Sequence, residues 1–346
     1  MRCSNLALVA VTLSSAVAAL TFSKCDPIPG DIASRDVGIM SLQWAQGPVQ
    51  VTSPAFTQLV VKAMQDMFPE TMANRAWDNV GLLLDNTKLA SEEEHSAKPV
   101  VMLTNDLTYA AAEEAIKGGA SVIISYHPII FRGLKALTTA DPQQTTLLLL
   151  ARHNIAVYSP HTALDAAQKG INTWLVECAV GSLISLSDIQ PVKPIASLPA
   201  GITYGGYGAT VTLPAPSSVA SIIKSFAAGI GGPSHLNIAV PDGCDLSSAM
   251  VSSIAVCAGS GSEVLRGSKA QLWITGELSH HDALAAIQAG HIVVTAFHSN
   301  TERQFLHQRL QPMLSNWLKT SGAADAHVFV SDADHDPYTV VDLGTL

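Results

Sequence analysis

Five side chains in three stretches of the chain have the types and spacing of a metal centre. His127 follows the apolar run Val122-Ile123-Ile124 and precedes Pro128, which lacks a backbone donor and so ends a strand there. His161 and Asp165 stand past a second such run, Ile155-Ala156-Val157-Tyr158. His298 and Glu302 are four apart in His-Ser-Asn-Thr-Glu-Arg, and on a helix beginning there both face one way, as a shared metal requires. Imidazole is the commonest protein metal ligand, and carboxylates can bridge two cations. A mixed nitrogen and oxygen set of this kind suits Zn, Mn, Fe or Ni better than Ca or Mg. Each residue also has a plainer reading. His127 can be a hydrogen-bonded structural histidine and Asp165 a helix cap. Ser299 to Glu302 can be a capping box in which Glu302 accepts from the Ser299 amide. Three strand ends carrying these residues together favour the metal.

The elements that must position them repeat. Leu103–His127 set against Ile274–His298, at a constant offset of 171, gives eight identities in 25 pairs, ending in His127 and His298. The unit reads strand, acid (Asp106, Glu277), helix N-cap (Thr108, Ser279), alanine-rich helix, glycine stop (Gly119, Gly290), strand, aromatic, histidine. Convergence of any two β-α-β units explains the apolar, cap and glycine matches, but not a histidine at the same strand end. Ligands of open α/β sheets bind beyond the carboxyl ends of the strands, so each copy places one imidazole and one acid there. Asp106 and Glu277 are therefore candidate catalytic proton acceptors. Two further clusters lie near this edge. The pair His280-His281 follows Glu277 and can face either the site or solvent. Gly259-Ser260-Gly261-Ser262 can cradle an anion on its amides or form a plain turn.

Outside the repeat, apolar residues at helical spacing over 55–68 and 141–153 alternate with strand-like runs at 80–84, 100–103, 122–124 and 155–158. Continuous apolar strands between helices predict an α/β fold with largely parallel sheets. Pro191, Pro194, Pro199 and the run Gly201 to Gly208 punctuate the middle, so two interlinked units are expected at 54–187 and 188–346. Residues 1–50 are left out of the fold. Their apolar run 6–22, behind Arg2, has the length and small residues of a secretory signal, with Ala16-Val17-Ala18 as a cleavage pattern. Frequent serine with no acid before Asp26 also fits a mitochondrial presequence, and Met40 as the true start fits a cytoplasmic protein. The run is short and serine-interrupted for a membrane anchor.

Composition narrows the function. Hydrophobic residues make up 48% and charged ones 14%, enough for a large core and too little charge for a disordered chain. Lys+Arg number 19 against 28 Asp+Glu, a net charge of -9, which excludes charge-driven nucleic-acid binding. The low charge content also suggests apolar surface that needs a partner, hence a homo-oligomer. Cys3, Cys25, Cys178, Cys244 and Cys257 are odd in number with no Cys-x-x-Cys pair, so neither a disulfide scaffold nor a cysteine zinc finger is available. Walker, nucleophile-elbow and dinucleotide fingerprints are missing.

Trp77-Asp78-Asn79-Val80-Gly81-Leu82, Tyr126-His127-Pro128, His161-Thr162-Ala163-Leu164-Asp165-Ala166, Thr275-Gly276-Glu277 and His298 to Arg303 occur in the order seen in the Nif-three-like family, also called GTP cyclohydrolase I type 2-like. From about residue 54 onward the chain resembles that family, and most of all its eukaryotic, fungal-type members. The resemblance implies two interlinked α/β units and a cleft with a dinuclear centre of two divalent ions, often in toroidal hexamers. By motif the ligands are His127, Asp165, His298 and Glu302. Bacterial members often have His-His-Pro where this chain has Tyr126, so the resemblance puts one ligand of the second metal in question. His281, or His280, can supply the missing imidazole, and His161 is a second alternative. The stretch from Asp165 to Gly276 is too short for the inserted domain of some bacterial members. Three activities follow from the resemblance. They are metal-dependent hydrolysis of a small or nucleotide-like substrate, protein interaction around a structural metal (eukaryotic members are named for binding a transcription co-regulator), and metal handling.

Overall fold

The computed structural model describes residues 51–89 and 99–344, so the targeting readings of residues 1–50 lie outside the described residues. The strands that build its two five-stranded sheets are β1 (Gly81–Leu84), β2 (Val100–Thr104), β3 (Val122–Ser125), β4 (Ala156–Ser159), β5 (Ala209–Ser218), β6 (Asn237–Ala239), β7 (Met250–Ser260), β8 (Leu272–Glu277), β9 (Ile292–Thr295) and β10 (His327–Val330). In the first sheet, ordered β10-β2-β3-β4-β1, only β1 runs antiparallel to its neighbour. In the second, ordered β6-β9-β8-β7-β5, the inner strands β7, β8 and β9 are parallel and both edges antiparallel. Every residue of β2, β3 and β4 is buried, as strands covered on both faces must be. This is the expected α/β architecture with parallel-rich sheets and no large inserted domain.

Alternation along each strand sorts the side chains into three layers of core. Val101, Leu103, Val122 and Ile124 of the first sheet share one apolar cluster with Ile254, Val256, Ile274 and Val294 of the second. The helices α1 (Ala55–Met67), α5 (Ile171–Val180) and α6 (Val219–Gly229) and the C-terminal α8 (Gln311–Thr320) contribute to it. The opposite faces are covered separately. Helices α2 (Tyr109–Lys117) and α3 (Pro142–Arg152) bury Met102, Ile123 and Val157, and α7 (His280–Gln288) helps bury Trp273 and Val293.

The duplication is real at the level of single hydrogen bonds. Thr108 Oγ1 accepts from the Ala111 amide and Ser279 Oγ from the Asp282 amide, both at 3.2 Å, so each hydroxyl caps its helix. Gly119 and Gly290, just past the two helices, have φ of +68° and +89°, the left-handed stop that glycine makes without strain. The Ala120 amide then donates to Ala115 O and the His291 amide to Ala286 O, again equivalent pairs. One difference matters for chain path. Beside β8 lies β7, which precedes it, whereas the equivalent place beside β2 is taken by β10, the last strand of the chain.

Candidate metal centre

Both copies of the repeat deliver their histidine to one point. His127 and His298 stand past the ends of β3 and β9 with ring centroids 5.3 Å apart. Each ring is held from behind by the acid of its own copy. His127 Nδ1 is 2.8 Å from Asp106 Oδ1, and His298 Nδ1 is 3.0 Å from Glu277 Oε1. An acid on Nδ1 fixes the tautomer that carries the proton there and turns the Nε2 lone pair inward. Asp106 and Glu277, expected as proton acceptors in the cleft, thus face the imidazoles. Burial raises the Asp106 pKa, but the His127 hydrogen bond and charge outweigh it and hold the carboxyl below its ordinary value.

Between the rings lies Glu302, 1% exposed. Its Oε2 is 3.5 Å from His127 Nε2 and its Oε1 is 3.4 Å from His298 Nε2, and ligand atoms of the three residues all fall within 4.8 Å of one another. A short 3-10 turn at Ser299–Thr301 aims this side chain. Its carboxylate accepts from Asn105 Nδ2 at 3.0 Å, so the side chain lies in the cleft and the capping box is not its role. Burial pushes the Glu302 carboxyl up to about 8, although the His127 charge and the Asn105 bond pull it down.

Gly259 shows that the space beside these atoms is kept open. A Cβ there would sit 2.6 Å from Glu302 Oε1 and 2.7 Å from His298 Nε2, and its φ of +59° also selects glycine. The Gly259 amide donates to Thr301 Oγ1 and the Gly261 amide to Glu277 O, so these two donors are not available to an anion.

A third imidazole repeats the pattern. His161 opens the short helix α4 (His161–Ala166), and its Nδ1 is 2.7 Å from Asp78 Oδ1. The other Asp78 oxygen accepts from both the amide and the hydroxyl of Thr162. His161 has φ +26° and Phe297, before His298, +65°. Such backbone costs roughly 1–3 kcal/mol and persists where surrounding contacts over-determine it.

Asp165 lines the same cleft, outside the three-residue group, and its Oδ1 accepts the Tyr126 hydroxyl at 2.6 Å. Burial raises its pKa and that of the Tyr126 phenol. His280 and His281 meet edge to face on the exposed first turn of α7, away from the cleft lining, and the imidazoles beside Tyr126 are those of His127 and His161, at 5.0 and 5.5 Å. The cleft encloses about 500 Å³. Sequence reasoning from the repeat missed Asp78, which holds His161, Asn105, which holds Glu302, and Asp334, whose Oδ2 accepts the Asn105 backbone amide. Asp78 carried a signal as part of the Trp77–Leu82 motif.

The chain is similar to known proteins in sequence and in fold. The profile of the family described as Duf34/NIF3 (NGG1p interacting factor 3) matches residues 57–337. The protein NIF3 homolog of Schizosaccharomyces pombe is 38% identical over 281 residues, covering 81% of this chain and 96% of that protein. The NGG1-interacting factor 3 of Saccharomyces cerevisiae is 34% identical over 287 residues, with 81% and 96% covered. In fold, the hypothetical protein SA1388 of Staphylococcus aureus superposes with a TM-score of 0.66 at 21% identity, over 84% of this chain and 100% of that one. The chain belongs to the NIF3 family.

Proposed function

We propose that the cleft is the active site of a metal-dependent hydrolase acting on a small or nucleotide-like substrate. One observation carries this reading. A buried carboxylate, Glu302, turns its two oxygens toward the free nitrogens of two histidines whose other nitrogens are held by acids. Nitrogen and oxygen donors without sulfur fit Zn, Mn, Fe or Ni, and Gly259 leaves the room. His127, His298 and Glu302 would hold one ion, and Asp165, oriented by Tyr126, is the residue in the cleft to reach a second. A divalent ion in such a set supplies Lewis acidity to an oxygen of substrate or water. The chain's own residues orient and exclude. Asp106 and Glu277 fix the imidazoles, and Asn105 fixes Glu302.

The test is metal content after purification without chelator, followed by a hydrolase panel with Zn, Mn, Fe and Ni. His127→Ala and His298→Ala should each lose most bound metal, and Asp165→Asn should lose most activity. Full metal content in both histidine variants overturns the site. The relative's name, NGG1-interacting factor 3, supports a second reading as an interaction protein around a structural metal, which a flat panel with every metal would favour. For assembly the reading is a homo-oligomer, a toroidal hexamer by family resemblance, and a monomer in light scattering at micromolar concentration would refute it. Among the described residues no helix is long and apolar enough to cross a membrane. The cytoplasm or the mitochondrion is the compartment proposed, to be read from a fluorescent fusion.

A further inference from the structure

Beside the three-residue group the cleft has a wall that metal binding does not use. Trp77 and Phe131 line it, yet they are 50% and 43% exposed, large apolar rings held out of the core. Their centroids are 5.9 Å apart with the planes inclined at 48°, so they form a tilted pair that is partly open to solvent. His161 meets both edge-on, at 5.9 Å from Trp77 and 6.4 Å from Phe131, and also lies 5.5 Å from His127. One imidazole is therefore the corner between the aromatic wall and the candidate metal group.

The wall is fixed by polar contacts. Asp78, which holds His161 Nδ1, directly follows Trp77, and its amide donates to Asn74 O at 3.0 Å, closing the turn that displays the indole. Asn79 Nδ2 donates to Ile130 O at 2.5 Å and so ties this turn to the loop bearing Phe131. Rings fixed in this way lose little conformational freedom when something stacks on them. Lys193 lines the cleft together with the carboxyl groups of Asp165, Glu263 and Glu302, so the lining holds one ammonium among three acids. Between ligands of equal charge and similar size, discrimination is left to the rings. A space of about 500 Å³ has room for a ring with one or two substituents.

We infer that Trp77 and Phe131 form a stacking slot for a planar unsaturated ring of the substrate, leaving its hydrolysable group at His127 and Glu302. The inference rests on the hydrolase reading for what the second end does, but the slot can be tested alone. The probes are 2-naphthoate and its saturated decahydro counterpart, equal in charge and similar in size, titrated calorimetrically into the full chain. Aromatic stacking beyond area burial amounts to roughly a 2- to 10-fold preference for the flat ring. Trp77→Leu and Phe131→Leu should each erase most of that preference with metal content unchanged, and circular dichroism verifies the fold of each. Equal binding of the two probes, no binding of either, or a preference that survives both variants overturns the slot. Metal content of the same samples separates the two ideas. Wild type without metal defeats the hydrolase reading, while the ring preference is still read directly.

Discussion

Burial lifts the Glu302 carboxyl to about 8, against the opposing pull of the His127 charge and the Asn105 hydrogen bond. In the metal-free protein this group therefore keeps its proton through the neutral range. A metal takes the ionised carboxylate, so loading must expel that proton. Each unit of pH below about 8 makes the expulsion roughly tenfold harder, so metal affinity should rise about tenfold per unit from pH 6 to 8 and flatten above. Competition with a chromophoric chelator across that range measures the slope, and Glu302→Gln should remove it between pH 7 and 8. A profile flat from pH 6 to 8 in wild type would mean that Glu302 is already ionised. The same shift has a stability sign. A carboxyl raised above its unfolded value makes the metal-free fold less stable as pH climbs from the usual carboxylate range toward 8, and bound metal cancels that loss. Asp106 is shifted the other way, so its contribution is complete above the ordinary carboxylate range and disappears on acidification through its lower folded value.

At the scale of elements, the segment after β10 braces the site. The Ser331 amide donates to Leu103 O at 2.8 Å, and the Asp332 and Ala333 amides donate to the Glu114 carboxylate of α2. Asp334 Oδ2 then accepts the Asn105 amide at 2.6 Å, its Oδ1 lies 3.5 Å from Arg303 Nε, and Asp336 accepts the Ser299 hydroxyl at 2.9 Å. This ties the β2–α2 loop, whose Asn105 steers Glu302, to the turn that carries Glu302. Removing Asp334 leaves the buried Asn105 backbone amide without its acceptor and takes away the carboxylate 3.5 Å from Arg303 Nε, whose terminal nitrogens still donate to Asn300 and Ser299. Asp334→Ala should therefore destabilise the fold by about 1.5–3 kcal/mol and weaken metal binding, whereas the exposed Asp332→Ala should do neither. Thermal unfolding and the chelator competition report the two effects, and unchanged metal affinity in Asp334→Ala would remove the brace from the site. The sequence makes the repeat legible because caps, glycine stops and apolar periods are local, and two copies can be compared. It hides the brace because Asn105 and Asp334 are 229 residues apart and nothing in Asp-Ala-Asp-His-Asp distinguishes a buried acid from a solvated one. The Asp78–His161 pair is hidden in the same way, across 83 residues.

For the whole molecule the telling strand is β10. The apolar periods of the sequence place β2, β3 and β4 in one sheet, but no local pattern says that the last strand returns to complete it. His327–Val330 pairs in parallel with Val100–Leu103, and the His327 amide donates to Pro99 O. Val328 and Val330 enter the same apolar cluster as Ile254 and Ile274 of the other sheet. Neither sheet then has a core of its own on its inner face, and loss of the final strand exposes the fully buried β2 along its hydrogen-bonding edge. Two consequences follow. The chain from residue 51 should unfold in one transition, with near- and far-ultraviolet circular dichroism coincident, because the shared cluster couples the sheets. A chain cut before His327 should lose that transition and its bound metal together, although every proposed ligand is still present. Two separate transitions in the intact chain, or a cut chain that melts cooperatively and retains metal, would show instead that the sheets are stable independently and that the returning strand only decorates the first of them.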